Sequence, residues 1–150
     1  MGELAGIVVV DLSTSLSGAY CAKLFADSGA TVTRVEPTAG DPQRHQQWSG
    51  HPTDGDAPLF RYLRHGQRSV AVDGDDPIIE ELCAAADLVI VSGPPARQWP
   101  GTVVLAVTPY GLDGPFADLP ATEFTLQADS GAIASRGIRA FPPIQMGGRI

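Results

Sequence analysis

The chain has 150 residues, 43% of them hydrophobic, and a formal net charge of −7. That length suits one domain with a real core. The acidic balance argues against nucleic acid as a partner, and no apolar run approaches the roughly 18 to 20 residues of a membrane helix. The opening MGELAG lacks the basic-then-apolar order of a secretory signal, so a cytoplasmic location is expected. Cys21 and Cys83 stand far apart and form neither a disulfide framework nor a CxxC motif.

Residues 6–12, GIVVVDL, are a continuous Val/Ile run of the kind that forms a parallel strand buried on both faces. A helix is predicted over 18–30, with Tyr20, Leu24 and Phe25 at helical spacing and Gly29 placed for a left-handed C-terminal stop. TVTRVE, 31–36, is a second strand, which completes a β-α-β unit. Residues 37–57 are rich in Pro, Gly, Asp and Gln and are expected to form a long polar loop. A short helix opened by Pro58 follows, then the alternating strand RSVAVDG and an amphipathic helix with Pro77 in its first turn. LVIVSG and VVLAVTP are two more buried-strand runs, and a helix is predicted over 121–134. Alternating strands and helices imply an α/β, Rossmann-like, mostly parallel sheet with helices on both faces.

Two features suggest ligand chemistry. Arg61, Arg64 and Arg68, with His65, fall within eight residues of a chain holding only 10 Lys plus Arg. Such a cluster is either a seat for a small anion or a solvated helix end. The second feature is DLSTSLSGAY, 11–20, where a strand turns through small residues into a helix N-terminus, the usual place for a phosphate. Glu36 lies 18 residues beyond Gly18, close to the position of the ribose-binding acid in a dinucleotide fold. The G-x-G-x-x-G fingerprint is absent, however, because the turn supplies only Gly18. Ser13, Thr14, Ser15 and Ser17 could equally cap the helix. An NAD site therefore ranks below a capped turn, and no Gly-Lys-Ser/Thr P-loop exists.

The order of motifs resembles the N-terminal part of the family III CoA-transferases, the carnitine and bile-acid-inducible group. The resemblance is carried by GIVVVDLSTSLSGAYCAKLFADSGATVTRVEP, GDPQR, QRSVAVD, AADLVIV and YGLDGPFADLPATEFTLQADSGAIA. It implies a single α/β CoA-binding domain over 1–150, with coenzyme A or acyl-CoA as substrate and no metal. The implied site comprises Ser15, Leu16, Ser17 and Gly18 on the turn, beside Glu36 and Pro37, against the adenosine end. Arg64, His65, Gln67 and Arg68 are implied near the phosphates, with Pro109, Tyr110 and Gly111 lining the cleft. The implied chemistry moves CoA from an acyl-CoA thioester to a carboxylic acid through an aspartyl intermediate, and the implied assembly is a homodimer or a pairing with a second CoA-transferase domain.

Several positions depart from the family pattern. Leu16 replaces a catalytic glutamine of the formyl-CoA branch, Gln67 replaces a lysine, and VSGPPARQWPG lacks an asparagine. Thr122 and Glu123 replace the His-Asp pair of the racemase branch. Aligned on PPIQMGGRI, the family nucleophile falls two residues beyond Ile150, so no catalytic residue is assigned and the isolated chain is expected to transfer nothing. Asp11, Asp113, Asp118, Glu123 and Asp129 are expected to be caps or solvated acids, and His45, His51 and His65 have no metal-ligand spacing. The rival expectation is a degenerate, noncatalytic half that serves as scaffold or partner subunit.

Overall fold

The computed structural model describes residues 2–46, 54–134, 136 and 140. The chain falls into two compact units, Met1–Thr108 and Pro109–Ile150. The first holds a five-stranded sheet of β1 (Val8–Asp11), β2 (Thr31–Glu36), β3 (Arg68–Ala71), β4 (Leu88–Ser92) and β5 (Val103–Val107). Every pairing is parallel and the spatial order is β3-β2-β1-β4-β5. The order reverses beside β1, which makes the carboxyl ends of β1 and β4 a topological switch point, where open α/β sheets bind ligands.

Side-chain alternation sends neighbouring residues of β1 to opposite faces. Val9 packs with Val32 and Ile90 against Ala22 and Phe25 of α1 (Leu16–Asp27). Val10 packs with Val35 and Val89 against Ile79, Leu82 and Cys83 of α3 (Pro77–Ala84). Each fully buried Val or Ile contributes about 1.5–3 kcal/mol relative to exposure. Burial also pushes the Cys83 thiol up to about 11, with Glu80 adding to the rise, so it packs as a neutral side chain.

Local chemistry sets the helix ends. Ser15 caps α1 by accepting from the Gly18 amide at 3.1 Å, and Gly29 just past its end takes φ 98°. Pro58 opens α2 (Pro58–Leu63), and the Asp76 side chain caps α3 through the Ile78 amide. The polar loop beyond β2 is not wholly irregular, because Asp41 caps a short 3-10 helix, Pro42–His45. Residues 47–53 of that loop lie outside the described residues.

In the second unit α4 spans Glu123–Asp129, shorter than the predicted 121–134. Thr122 and Thr125 form a reciprocal capping pair at its start. Gly131, with φ 75°, places a left-handed residue soon after its end. No helix among the described residues is long and apolar enough to cross a membrane.

Candidate functional site

The turn after β1 is tied down from within. Asp11 Oδ1 accepts from the Ser13 amide at 2.8 Å, and Ser92 Oγ at the end of β4 accepts from the Thr14 and Ser15 amides at 3.1 and 3.2 Å. The same Ser92 hydroxyl donates to Ser15 Oγ. Four amides, those of Ser13, Thr14, Ser15 and Gly18, are thus satisfied by side chains of the chain itself. Ser92, a departure from the family pattern in sequence, is the hub that locks β1 to β4 across the switch point. Leu16 is half-buried at the first turn of α1, and Ser17 is exposed.

Gly18 is buried against Ser13: an added Cβ would lie 2.1 Å from Ser13 Oγ and 2.3 Å from Ser13 Cβ. Its role here is close helix-to-turn packing. Gly18→Ala is therefore expected to destabilise by about 1–3 kcal/mol, read as a lower urea midpoint. Adding Ser13→Gly should restore most of the loss, and a double variant no more stable than Gly18→Ala would refute the clash.

Beneath the turn lies a buried ionic cluster. Arg34, 4% exposed in the middle of β2, donates from Nε and Nη2 to Asp41 Oδ2 at 3.1 and 2.8 Å. Its Nη1 donates to the Asp11 and Ser13 carbonyls at 3.2 and 2.5 Å. Arg64, at the end of α2, donates from Nη1 to Asp11 Oδ2, and its Nη2 lies 3.5 Å from Asp41 Oδ2. Asp11 is 0% exposed, so the sequence expectation of a cap or solvated acid is corrected: it is a buried counter-ion.

Glu36 is saturated in the same way. Oε1 accepts from Arg44 Nη2 at 2.6 Å and from the Ser69 hydroxyl, while Oε2 accepts from Arg44 Nε and the Asp41 amide at 2.8 and 2.9 Å. Hydrogen bonding from Arg44 above all, then Ser69 and the Asp41 amide, outweighs burial and lowers its pKa to about 2. A carboxylate so engaged has no lone pair left for a ribose, which removes the feature that had suggested a dinucleotide acid. Arg44 also pairs with Asp56 and stacks on Phe60 at 4.3 Å. Three carboxylates (Asp11, Glu36, Asp41) thus meet three guanidiniums (Arg34, Arg44, Arg64), the pairing that buried charge demands.

Two cavities flank the end of β2. The larger, an open cleft of about 430 Å³, lies at the carboxyl ends of β1, β2 and β4. Leu12, Val35, Val72, Ile79 and Val91 supply apolar walls, with Trp99 at 7% exposure. Glu36 and Pro37, both expected at the site, line it. Its outer charges are Asp75, Asp76, Glu80 and Arg97, with Arg97 reaching Glu80 at 3.2 Å and Asp75 at 3.5 Å. With Arg34 and Glu36 committed to the cluster, this rim carries three acids against one base.

The second cavity, about 170 Å³, is lined by Arg34, Glu36, Arg44, Phe60, Arg64, Gln67, Arg68 and Ser69. Arg68 and His65 are exposed, whereas the Arg64 side chain is 7% exposed. Gln67 donates to the Leu63 carbonyl at 2.9 Å and accepts from Arg64 Nη1 at 3.4 Å. The arginine cluster read from sequence therefore splits: Arg64 turns inward as a counter-ion, and Arg61 and Arg68 stay outside.

Pro109, Tyr110 and Gly111 open the second unit. Tyr110 donates its hydroxyl to Asp129 Oδ2 at 2.6 Å, which raises the phenol pKa, and Gly111 takes φ 94°. Among the described residues no group of three or more His, Cys, Asp or Glu could hold a metal ion. Sequence reasoning missed Arg34, Asp41 and Arg44. The one available signal was a charged residue inside the six-residue strand TVTRVE, where burial on both faces leaves no place for an unpaired charge.

Comparison with known proteins gives this architecture a family. At 34% identity the chain is similar to the succinyl-CoA:(R)-benzylsuccinate CoA-transferase subunit BbsE of Thauera aromatica, covering 91% of this chain and 38% of that one. At 28% it is similar to the succinyl-CoA–D-citramalate CoA-transferase of Chloroflexus aurantiacus, covering 96% and 40%. The chain thus spans about two fifths of these relatives' length. A CAIB/BAIF family protein from Brucella suis has the same fold, with a TM-score of 0.84 at 24% identity over 99% of this chain and 44% of that one. The family model for CoA-transferase family III matches residues 4–150, and the chain belongs to that family.

Proposed function

We propose that residues 1–150 form the CoA-binding portion of a CoA-transferase that moves CoA from an acyl-CoA thioester to a carboxylic acid. The observation that carries this reading is the apolar-walled cleft at the switch point of a family III sheet. Apolar walls suit the uncharged adenine of CoA, and an acidic rim disfavours its phosphates, the ribose 3′-phosphate included. The phosphates belong on the other side of the β2 end, toward His65, Gln67 and Arg68, where the Arg68 guanidinium faces solvent. Ser15 to Gly18 hold the turn beside the adenosine end. The exchange runs through an aspartyl carboxylate that attacks the thioester carbonyl and expels CoA thiolate. That carboxylate is supplied by the share of the family fold that these residues do not span. The partners are acyl-CoA and a carboxylic acid, with a homodimer or a second CoA-transferase domain completing the assembly. The relative from Thauera aromatica, named as a subunit, supports such pairing.

Isothermal titration tests this directly. CoA and 3′,5′-ADP are expected to give saturable heat with one site per chain, and NAD none. Residues 1–150 are expected to show no transfer from succinyl-CoA; turnover by this chain alone would overturn the division of labour. Absence of heat with CoA would favour the scaffold reading, for which Gln67, held on the Leu63 carbonyl at the end of α2 where the family carries a lysine, is the supporting observation.

A further inference from the structure

We propose that Thr38 and Asp73 form a clip that positions the β2 and β3 walls of the cleft for its ligand. The inference rests on the CoA-binding reading of that cleft. The β2–β3 ladder ends at Glu36 opposite Ala71, and the Val72 amide extends it by one bond, donating to the Glu36 carbonyl at 2.9 Å. The next residue of β2's strand direction is Pro37, which has no N–H to give. Main-chain pairing therefore stops where the cleft begins. A side chain takes over at that point: Asp73 Oδ1 accepts from the Thr38 amide at 3.0 Å, and Asp73 Oδ2 accepts from the Thr38 hydroxyl.

The clip lies outside the cleft, but its immediate neighbours line it. Pro37 precedes Thr38, and Val72 and Gly74 flank Asp73. Gly74 has φ 63°, a conformation that an untethered glycine leaves readily. The two hydrogen bonds thus fix the spacing of two loops whose backbones form the walls. The Thr38 hydroxyl, and after it the amide, holds the Asp73 carboxyl below the usual carboxylate range, so the acceptor stays charged at neutral pH. Thr38 and Asp73 are positioning residues, because neither lines the cleft itself.

The test is titration of CoA and 3′,5′-ADP into the 150-residue chain and its variants, with amide exchange measured on the ligand-free proteins. Asp73→Ala and Thr38→Val are expected to raise the Kd for both probes by roughly five- to tenfold, and Thr38→Ser should bind like the parent. The double variant Asp73→Ala/Thr38→Val should match Asp73→Ala, since one partner is already lost. Thr38 exchange should quicken in Asp73→Ala, while the thermal midpoint moves little because both residues are exposed. Unchanged affinity with quickened exchange would mean a merely structural tether and overturn the proposal, as would additive losses in the double variant. A parent chain that binds neither probe would instead bring down the CoA reading, and the positioning role with it.

Discussion

Replacing Glu36 by Gln should cost about 3 kcal/mol of stability at neutral pH. The carboxyl pKa falls from 4.5 to about 2 in the folded chain, and at about 1.4 kcal/mol per pH unit that drop is worth about 3 kcal/mol. Four donors converge on two buried oxygens. An amide keeps the shape but turns one acceptor into a donor facing Arg44 or the Asp41 amide. Because the folded pKa is depressed, the contribution is complete above about 4.5 and is lost as pH falls toward 2. The stability gap between parent and Glu36→Gln should therefore be constant from pH 5 to 8 and close progressively below that. Urea melts across this range check it; a gap under 0.5 kcal/mol at pH 7 would show that solvent screens the cluster after all.

Most of the fold was legible in the chain, and the reasons are local. Continuous runs such as Val8–Asp11 and Leu88–Ser92 have too few polar positions to face water, so burial on both faces, and hence a parallel sheet, follows from composition. Pro58, Pro77 and Ser15 opened helices where proline and serine have local reasons to do so. The over-long prediction for α4 failed for an equally local reason. Thr122 caps the helix instead of joining it, and at the other end Gly131, at φ 75°, takes a left-handed conformation soon after Asp129. The chain also marked the turn after β1 and the segment 64–68, and residues of both line cavities beside the end of β2.

What the chain could not disclose is which charge meets which. Asp11 and Arg64 are 53 residues apart, and Glu36 and Arg44 only 8, yet no spacing rule selects either pair over the alternatives. Ion pairing across loops is a product of the fold, so composition alone did not reveal these pairs. Arg64 was a ligand candidate because it stands among exposed cations, and Asp11 a cap because it ends a strand. The wall of the cleft from the β4–β5 loop, with Arg97 and Trp99, was hidden in the same way: its sequence showed a departure from the family pattern but not a surface.

The Asp11–Arg64 pair makes it possible to separate folding from binding at the residue where sequence and structure suggest different roles. Asp11→Asn removes the charge opposite a guanidinium whose side chain is 7% exposed, and breaking such a pair should cost about 3–5 kcal/mol. Arg64→Met should cost a similar amount by leaving the Asp11 carboxylate, 0% exposed, with the Ser13 amide and, as its one charged partner among the described residues, Arg34 at 4.0 Å. The double variant should recover at least about 2 kcal/mol of the summed loss, because the second change removes the charge that the first had stranded. Strictly additive losses would mean that the two side chains do not depend on each other. With stability restored in the double variant, titration with CoA becomes informative. Affinity equal to the parent would make Arg64 a structural counter-ion alone and leave the phosphates to Arg68 and His65. Affinity lost despite a restored melting transition would give Arg64 a second role, its guanidinium released toward ligand while Arg34 retains Asp11 and Asp41. The inward geometry of Arg64, with Nη1 on Asp11 and Nη2 beside Asp41, favours the first outcome.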